Sequence, residues 1–162
     1  MGAKITTSRA AADLPEAMRQ AVEACRKGAW NQGLPVLARI AEDTQRSAPL
    51  PGLVYSYLGY GVALRQQRVE EGLRLCQHAV KLEFYQAESF LNLARTQLLA
   101  HNRRAAIRAV KAGLQIEKDN EALLELYREL GRRRGVVLPF LDRSNPLNLV
   151  LGRLRHAFRG QG

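Results

Sequence analysis

Small side chains return in register along this chain, and that recurrence limits the fold more than any single motif does. Gly72 stands at i+39 from Gly33, and Ala106 stands at i+34 from Gly72. Each opens a matching pattern: Gly33-x3-Leu37-x2-Ile40, Gly72-x3-Cys76-x2-Ala79 and Ala106-x3-Val110-x2-Gly113. Upstream of each lies a second pattern: Ala17-x2-Gln20-Ala21-x2-Ala24, Tyr55-x2-Leu58-Gly59-x2-Val62 and Phe90-x2-Leu93-Ala94. Four of the five extra residues in the longer interval lie in Ser47-Ala48-Pro49-Leu50-Pro51, and one lies in the turn around residues 66–68.

Packing explains such a pattern. Tyr55, Leu58, Leu73, Cys76, Phe90, Leu93, Val110 and Leu114 follow i, i+3, i+4 spacing and belong to apolar helix faces. Two antiparallel helices joined by a short turn can approach closely only over small side chains, which is the use of Gly59, Gly72, Ala79, Ala94 and Ala106. One pair cannot bury its apolar face alone, so neighbouring pairs stack. Ala, Leu, Arg, Gln and Glu dominate and β-branched alternation is nearly absent, so the class is all-α. Helices are expected over residues 14–27, 31–46, 52–66, 69–83, 87–100, 103–117 and 120–134. Pro35 then falls in a first turn, where its missing N–H costs least. Asn31 and Asn120 are the expected N-caps.

These patterns resemble the tetratricopeptide repeat, a helix-turn-helix unit of about 34 residues, over about residues 14–134. The repeats fall at about 14–47, 52–86 and 87–120, followed by a capping helix at 120–134. The motif's trailing proline is replaced by Phe84 in one copy and Lys118 in the next. The resemblance implies a right-handed helical solenoid of three helix pairs, working as a protein-binding scaffold. In that family the first helix of each repeat lines a concave groove for peptide or protein segments. The matching positions here are Arg19, Val22 and Arg26, then Tyr57 and Tyr60, then Asn92 and Arg95. Some members hold a terminal carboxylate with Lys, Arg and Asn in this groove. Asn92 with Arg95 is similar to that clamp, whereas Tyr57 and Arg19 depart from it.

Residues 1–13 are expected to be a flexible N-terminus, and residues 135–162 a basic tail. Between positions 131 and 162 seven arginines stand against the single acid Asp142, so that stretch holds six of the ten net positive charges. Arg132, Arg133 and Arg134 precede Gly135 at the negative end of a helix dipole. The apolar run at residues 136–141 includes Phe140 and should be covered. From Pro146, a helix at 146–159 is expected. It places Leu147, Val150, Leu151, Leu154 and Phe158 on one stripe flanked by arginines. Such a helix can cap the repeats, engage a partner through Phe140, Leu147, Leu151, Leu154 and Phe158, or adsorb to an anionic membrane.

Residues 1–9 lack the apolar stretch of a secretory leader, and no run reaches the ~18 apolar residues of a membrane span. Cys25 and Cys76 are too few for a disulfide framework and fall on apolar faces, as reduced core thiols. A cytoplasmic location is expected. His78, His101 and His156 are scattered, with no Cys or carboxylate at metal-ligand spacing, so neither a metal nor another cofactor is expected. Neither a phosphate loop nor a nucleophile with a paired histidine is legible, and no catalytic residue is assigned. The expected partner is a protein or peptide, acidic if the arginines take part. Nucleic acid is the alternative, given the +10 charge and pI of about 10.3. The basic region lacks the aromatics that stack on bases.

Overall fold

A computed structural model describes residues 14–44 and 50–131. Among these residues the fold is all-α, with seven helices and no strand. They are α1 (Glu16–Arg26), α2 (Trp30–Thr44), α3 (Gly52–Gln66), α4 (Val69–Leu82), α5 (Ala87–Leu99), α6 (Arg103–Ile116) and α7 (Glu121–Gly131). The bounds of α3 to α6 fall within one residue of those expected from the apolar spacing. The N-terminus at 1–13 and the tail, with Phe140, Leu147, Leu151, Leu154 and Phe158, lie outside the described residues.

The helices pack as consecutive pairs, α1 on α2, α3 on α4 and α5 on α6. Within each pair the chain reverses through a residue in the left-handed conformation: Gly28 (φ 82°), Gln67 (φ 58°) and His101 (φ 56°). Their spacing, i+39 and then i+34, equals that of Gly33, Gly72 and Ala106. After α1, Ala29 N–H bonds to Ala24 C=O at 2.8 Å and Gly28 N–H to Cys25 C=O at 3.0 Å. After α5, Asn102 N–H bonds to Gln97 C=O at 2.8 Å and His101 N–H to Leu98 C=O at 3.0 Å. Both are Schellman closures, which satisfy the last carbonyls of a helix.

Two asparagines cap helices by the usual chemistry. Asn102 Oδ1 accepts from Ala105 N–H at 3.1 Å, and Asn120 Oδ1, as expected, accepts from Leu123 N–H at 3.1 Å. Asn31 does not cap α2. The tight closure after α1 starts α2 one residue earlier, with Ala29 C=O accepting from Gln32 and Gly33 N–H. Pro35 is consequently the sixth residue of α2 rather than a first-turn residue.

Small residues mark the helix crossings. A Cβ at Gly72 would stand 2.5 Å from Gly59 C=O and 2.6 Å from Ala63 Cβ, and one at Gly33 would stand 2.5 Å from Ala21 C=O. Nothing larger than hydrogen fits there without moving backbone. Around these crossings Val22, Leu37, Leu53, Val54, Val110 and Leu123 are fully buried. Leu58, Cys76, Leu93 and Val110 of the expected seam are buried, while Tyr55, Leu73, Phe90 and Leu114 are half-buried. The pairs also touch one another. First helix α3 lies against both α1 and α5, and α2 and α4 each reach the following first helix.

Candidate functional site

The side chains singled out on the first helices fall into two groups, one turned inward and one accessible. Arg26, at the end of α1, grips the carboxylate of Glu88 on α5 with both prongs of its guanidinium. Nε donates to Oε1 at 2.8 Å and Nη2 to Oε2 at 2.9 Å, while Nη1 donates to Glu23 at 2.5 Å. Tyr57 on α3 donates its hydroxyl to the same Glu88 oxygen. Three consecutive first helices are thus tied through one carboxylate. The side chains of Arg26 and Glu88 are only 12% and 14% exposed, so water screens the pair poorly.

Titration follows from this geometry. The Glu88 hydrogen bonds hold the Arg26 guanidinium even more firmly charged than usual. Burial, with the Glu88 charge beside it, pushes the Tyr57 phenol far above its ordinary range. For Glu23, burial acts upward, but hydrogen bonds from Arg26 and Lys27 outweigh it and keep the carboxyl below its usual range.

Asn92 is fully buried, so it offers no amide to a ligand and the clamp-like pairing with Arg95 does not form. Its Nδ2 donates to Ser56 Oγ at 3.0 Å, joining α5 to α3. Thr96 Oγ1, one turn on, donates to Asn92 C=O at 2.8 Å and lies 3.4 Å from Cys76 Sγ. Burial pushes the Cys76 thiol up to about 12 and the Cys25 thiol up to about 11. Both are core thiols, in their protonated form at neutral pH. Arg26, Tyr57 and Asn92 therefore act as struts between helices.

Arg19 is exposed and ion-paired to Glu16 within its own helix, a solvated face. Tyr60 and Arg95 remain accessible. Tyr60 is half-buried, with the Trp30 ring edge-on at 5.3 Å between centroids. The Arg95 guanidinium lies 5.7 Å from the Tyr60 ring centre, within cation–π range. Arg95 is half-buried and makes no hydrogen bond or ion pair among the described residues. Beside this cluster, Gly28, Asn31, Gln32 and Arg65 continue from Trp30 around an open cavity of about 280 Å³. Arg65 Nη2 donates to Asn31 Oδ1 at 3.2 Å on its rim.

Residues missed from sequence are Glu88 and the part Trp30 takes beside Tyr60. Tyr57 and Glu88 stand 31 residues apart, as do Arg26 and Tyr57, a spacing that carries no local signature. Among the described residues no group of His, Cys, Asp and Glu could hold a metal ion, and no helix is long and apolar enough to cross a membrane. No protein-family model matches the chain, and no curated protein matches it.

Proposed function

We propose that this chain is a non-enzymatic adaptor of the tetratricopeptide type, a right-handed solenoid of three helix pairs that binds a peptide or protein segment. Its setting would be the cytoplasm. The observation that carries the binding reading is the Trp30–Tyr60–Arg95 cluster, where an aromatic face is capped by a guanidinium that no acid pairs with among the described residues. Aromatic and arginine side chains that offer area at small entropic cost are the usual anchors of an interface. The uncompensated charge of Arg95 favours a segment carrying a carboxylate. The common separations of the small residues and the left-handed turns support the repeat reading.

The groove is narrower than the sequence suggests, because Arg26 and Tyr57 are already engaged and Asn92 is enclosed. Recognition accordingly centres on Tyr60 and Arg95. Trp30, the single tryptophan of the chain, is a built-in reporter for it. Peptides selected by display against the folded protein should change Trp30 emission and lose about tenfold or more in affinity on Arg95→Glu. Selected peptides that bind the Arg95→Glu variant as tightly, without altering Trp30 emission, would refute the assignment.

A further inference from the structure

Among the described helices, α6 holds the most basic side chains and pairs that charge with no acid of its own. Between Arg103 and Ile116 it holds Arg103, Arg104, Arg108 and Lys111 and not one acid. Arg103 is spoken for, since it donates to Leu130 C=O. Arg104, Arg108 and Lys111 are exposed, at i, i+4 and i+7. At 100° per residue they share about 60° of arc, and they cover about 10 Å along the axis. The opposite face, with Ala105, Ala106, Ala109, Val110 and Gly113, is buried. None of the three cations makes a hydrogen bond or ion pair among the described residues.

Arg39, Arg74 and Lys81 are likewise exposed and unpaired among the described residues, but α2 and α4, which carry them, also hold acids of their own. On α1, Arg19 is bridged to Glu16 and Arg26 to Glu23, and Lys27 just beyond reaches Glu23 at 3.3 Å. On α7, Glu121, Glu125 and Glu129 are available in sequence next to α6, yet no ion pair within 4.0 Å joins them to it. Three like charges spaced at one turn repel one another, and a helix that carries them uncompensated loses stability by a few tenths of a kcal/mol per pair.

We infer that the exposed face of α6 is a docking surface for the phosphate backbone of a nucleic acid, separate from the peptide-binding cluster at Trp30, Tyr60 and Arg95. Charge complementarity selects the occupant. The stripe has no apolar or aromatic anchor; the only exposed large apolar residue on α6 is its last, Ile116. A protein partner needs such an anchor for affinity, and a membrane needs apolar side chains to take up. A phosphate backbone needs neither, because neutralising it releases counterions regardless of base sequence. Two of the three cations are arginine, whose fork matches phosphate oxygens. With no stacking residue on the stripe, contact is to backbone alone and is indifferent to sequence.

The test uses the full chain and fluorescence anisotropy with a labelled single-stranded RNA of mixed sequence. Arg104→Gln, Arg108→Gln and Lys111→Gln are combined in one variant. All three sites are exposed and their mutual repulsion is removed, so the melting temperature should not fall and the Trp30 response to selected peptides should persist. Three phosphate contacts at about 0.7 each give a salt slope of about −2. The variant should flatten the slope by that amount and weaken binding on the order of a hundredfold at about 50 mM salt. A second variant, Arg132→Gln with Arg133→Gln and Arg134→Gln, keeps the α6 stripe and should retain that component. The proposal is overturned if the wild type shows no binding at low salt. It is also overturned if the α6 variant binds RNA with the wild-type slope. Binding that depends on α6 but prefers poly-glutamate or anionic vesicles over RNA overturns it equally.

Discussion

Replacing Glu88 by Gln removes one charge from the junction of α1, α3 and α5 while keeping the shape of the side chain. In the wild type Glu88 accepts two bonds from Arg26 and one from Tyr57. A glutamine retains one acceptor and turns an NH₂ toward a guanidinium that can only donate. The Coulomb attraction forfeited at ~4 Å is about 4 kcal/mol at an effective dielectric of 20. Two effects return part of it: the neutral amide needs less desolvation, and Arg26 keeps Glu23 at 2.5 Å. A net loss of about 2 kcal/mol of folding stability is expected, which urea denaturation followed by circular dichroism resolves. The cleaner quantity is the coupling between Arg26→Gln and Glu88→Gln in a double-mutant cycle, expected at about 1.5 kcal/mol or more. A coupling below about 0.5 kcal/mol, the range of exposed ion pairs, would refute the view that this junction ties the helices together.

Two further outcomes follow from the core and the turns. Cys25 and Cys76 have folded-state pKa values raised from 9.0 to about 11 and about 12. Their contribution to stability is therefore complete below about pH 9, and it is lost as pH rises toward those values, at about 1.4 kcal/mol per pH unit for each thiol. Urea midpoints between pH 9 and pH 11 should fall more steeply in the wild type than in a Cys25→Ala, Cys76→Ala double variant, and equal slopes would contradict the burial of the thiols. His101→Gly, at φ 56°, relieves a left-handed strain of about 1 kcal/mol and should raise the melting temperature by several degrees, whereas a decrease would mean the turn geometry is misassigned.

The helices were legible because their signals are local. Apolar spacing marks each buried face, and Asn120 announces α7 by an ordinary cap. The intra-pair turns were half legible. Gly28 is the residue type a left-handed closure favours, but Gln67 and His101 reveal nothing by type and are found only by carrying the repeat spacing forward from Gly28. Asn31 misled because a Schellman closure feeds α2 directly, leaving no room for a side-chain cap. The candidate groove was the least legible part. Arg26 and Tyr57 have the residue types of an open binding face, yet their exposure is decided by Glu88, which lies 62 and 31 residues away. Asn92 lies one turn from Arg95 but faces Ser56 in the interior. Side-chain type placed these residues on the right helices and could not tell which of them a distant carboxylate or hydroxyl had already claimed.

The claim beneath the fold and the proposed function alike is that the paired helices touch, backbone to backbone, through small residues held in register. Gly72→Ala tests it by the sign of one free energy. In an ordinary helix interior this change stabilises by about 1 kcal/mol. Here the added methyl would lie 2.5 Å from Gly59 C=O and 2.6 Å from Ala63 Cβ, and forcing α3 and α4 apart costs about 1–3 kcal/mol or more. The measurement is the urea-unfolding free energy of the variant against the wild type. Close packing predicts a net loss of about 1–2 kcal/mol, and a gain of about 1 kcal/mol would show that the two helices do not meet there.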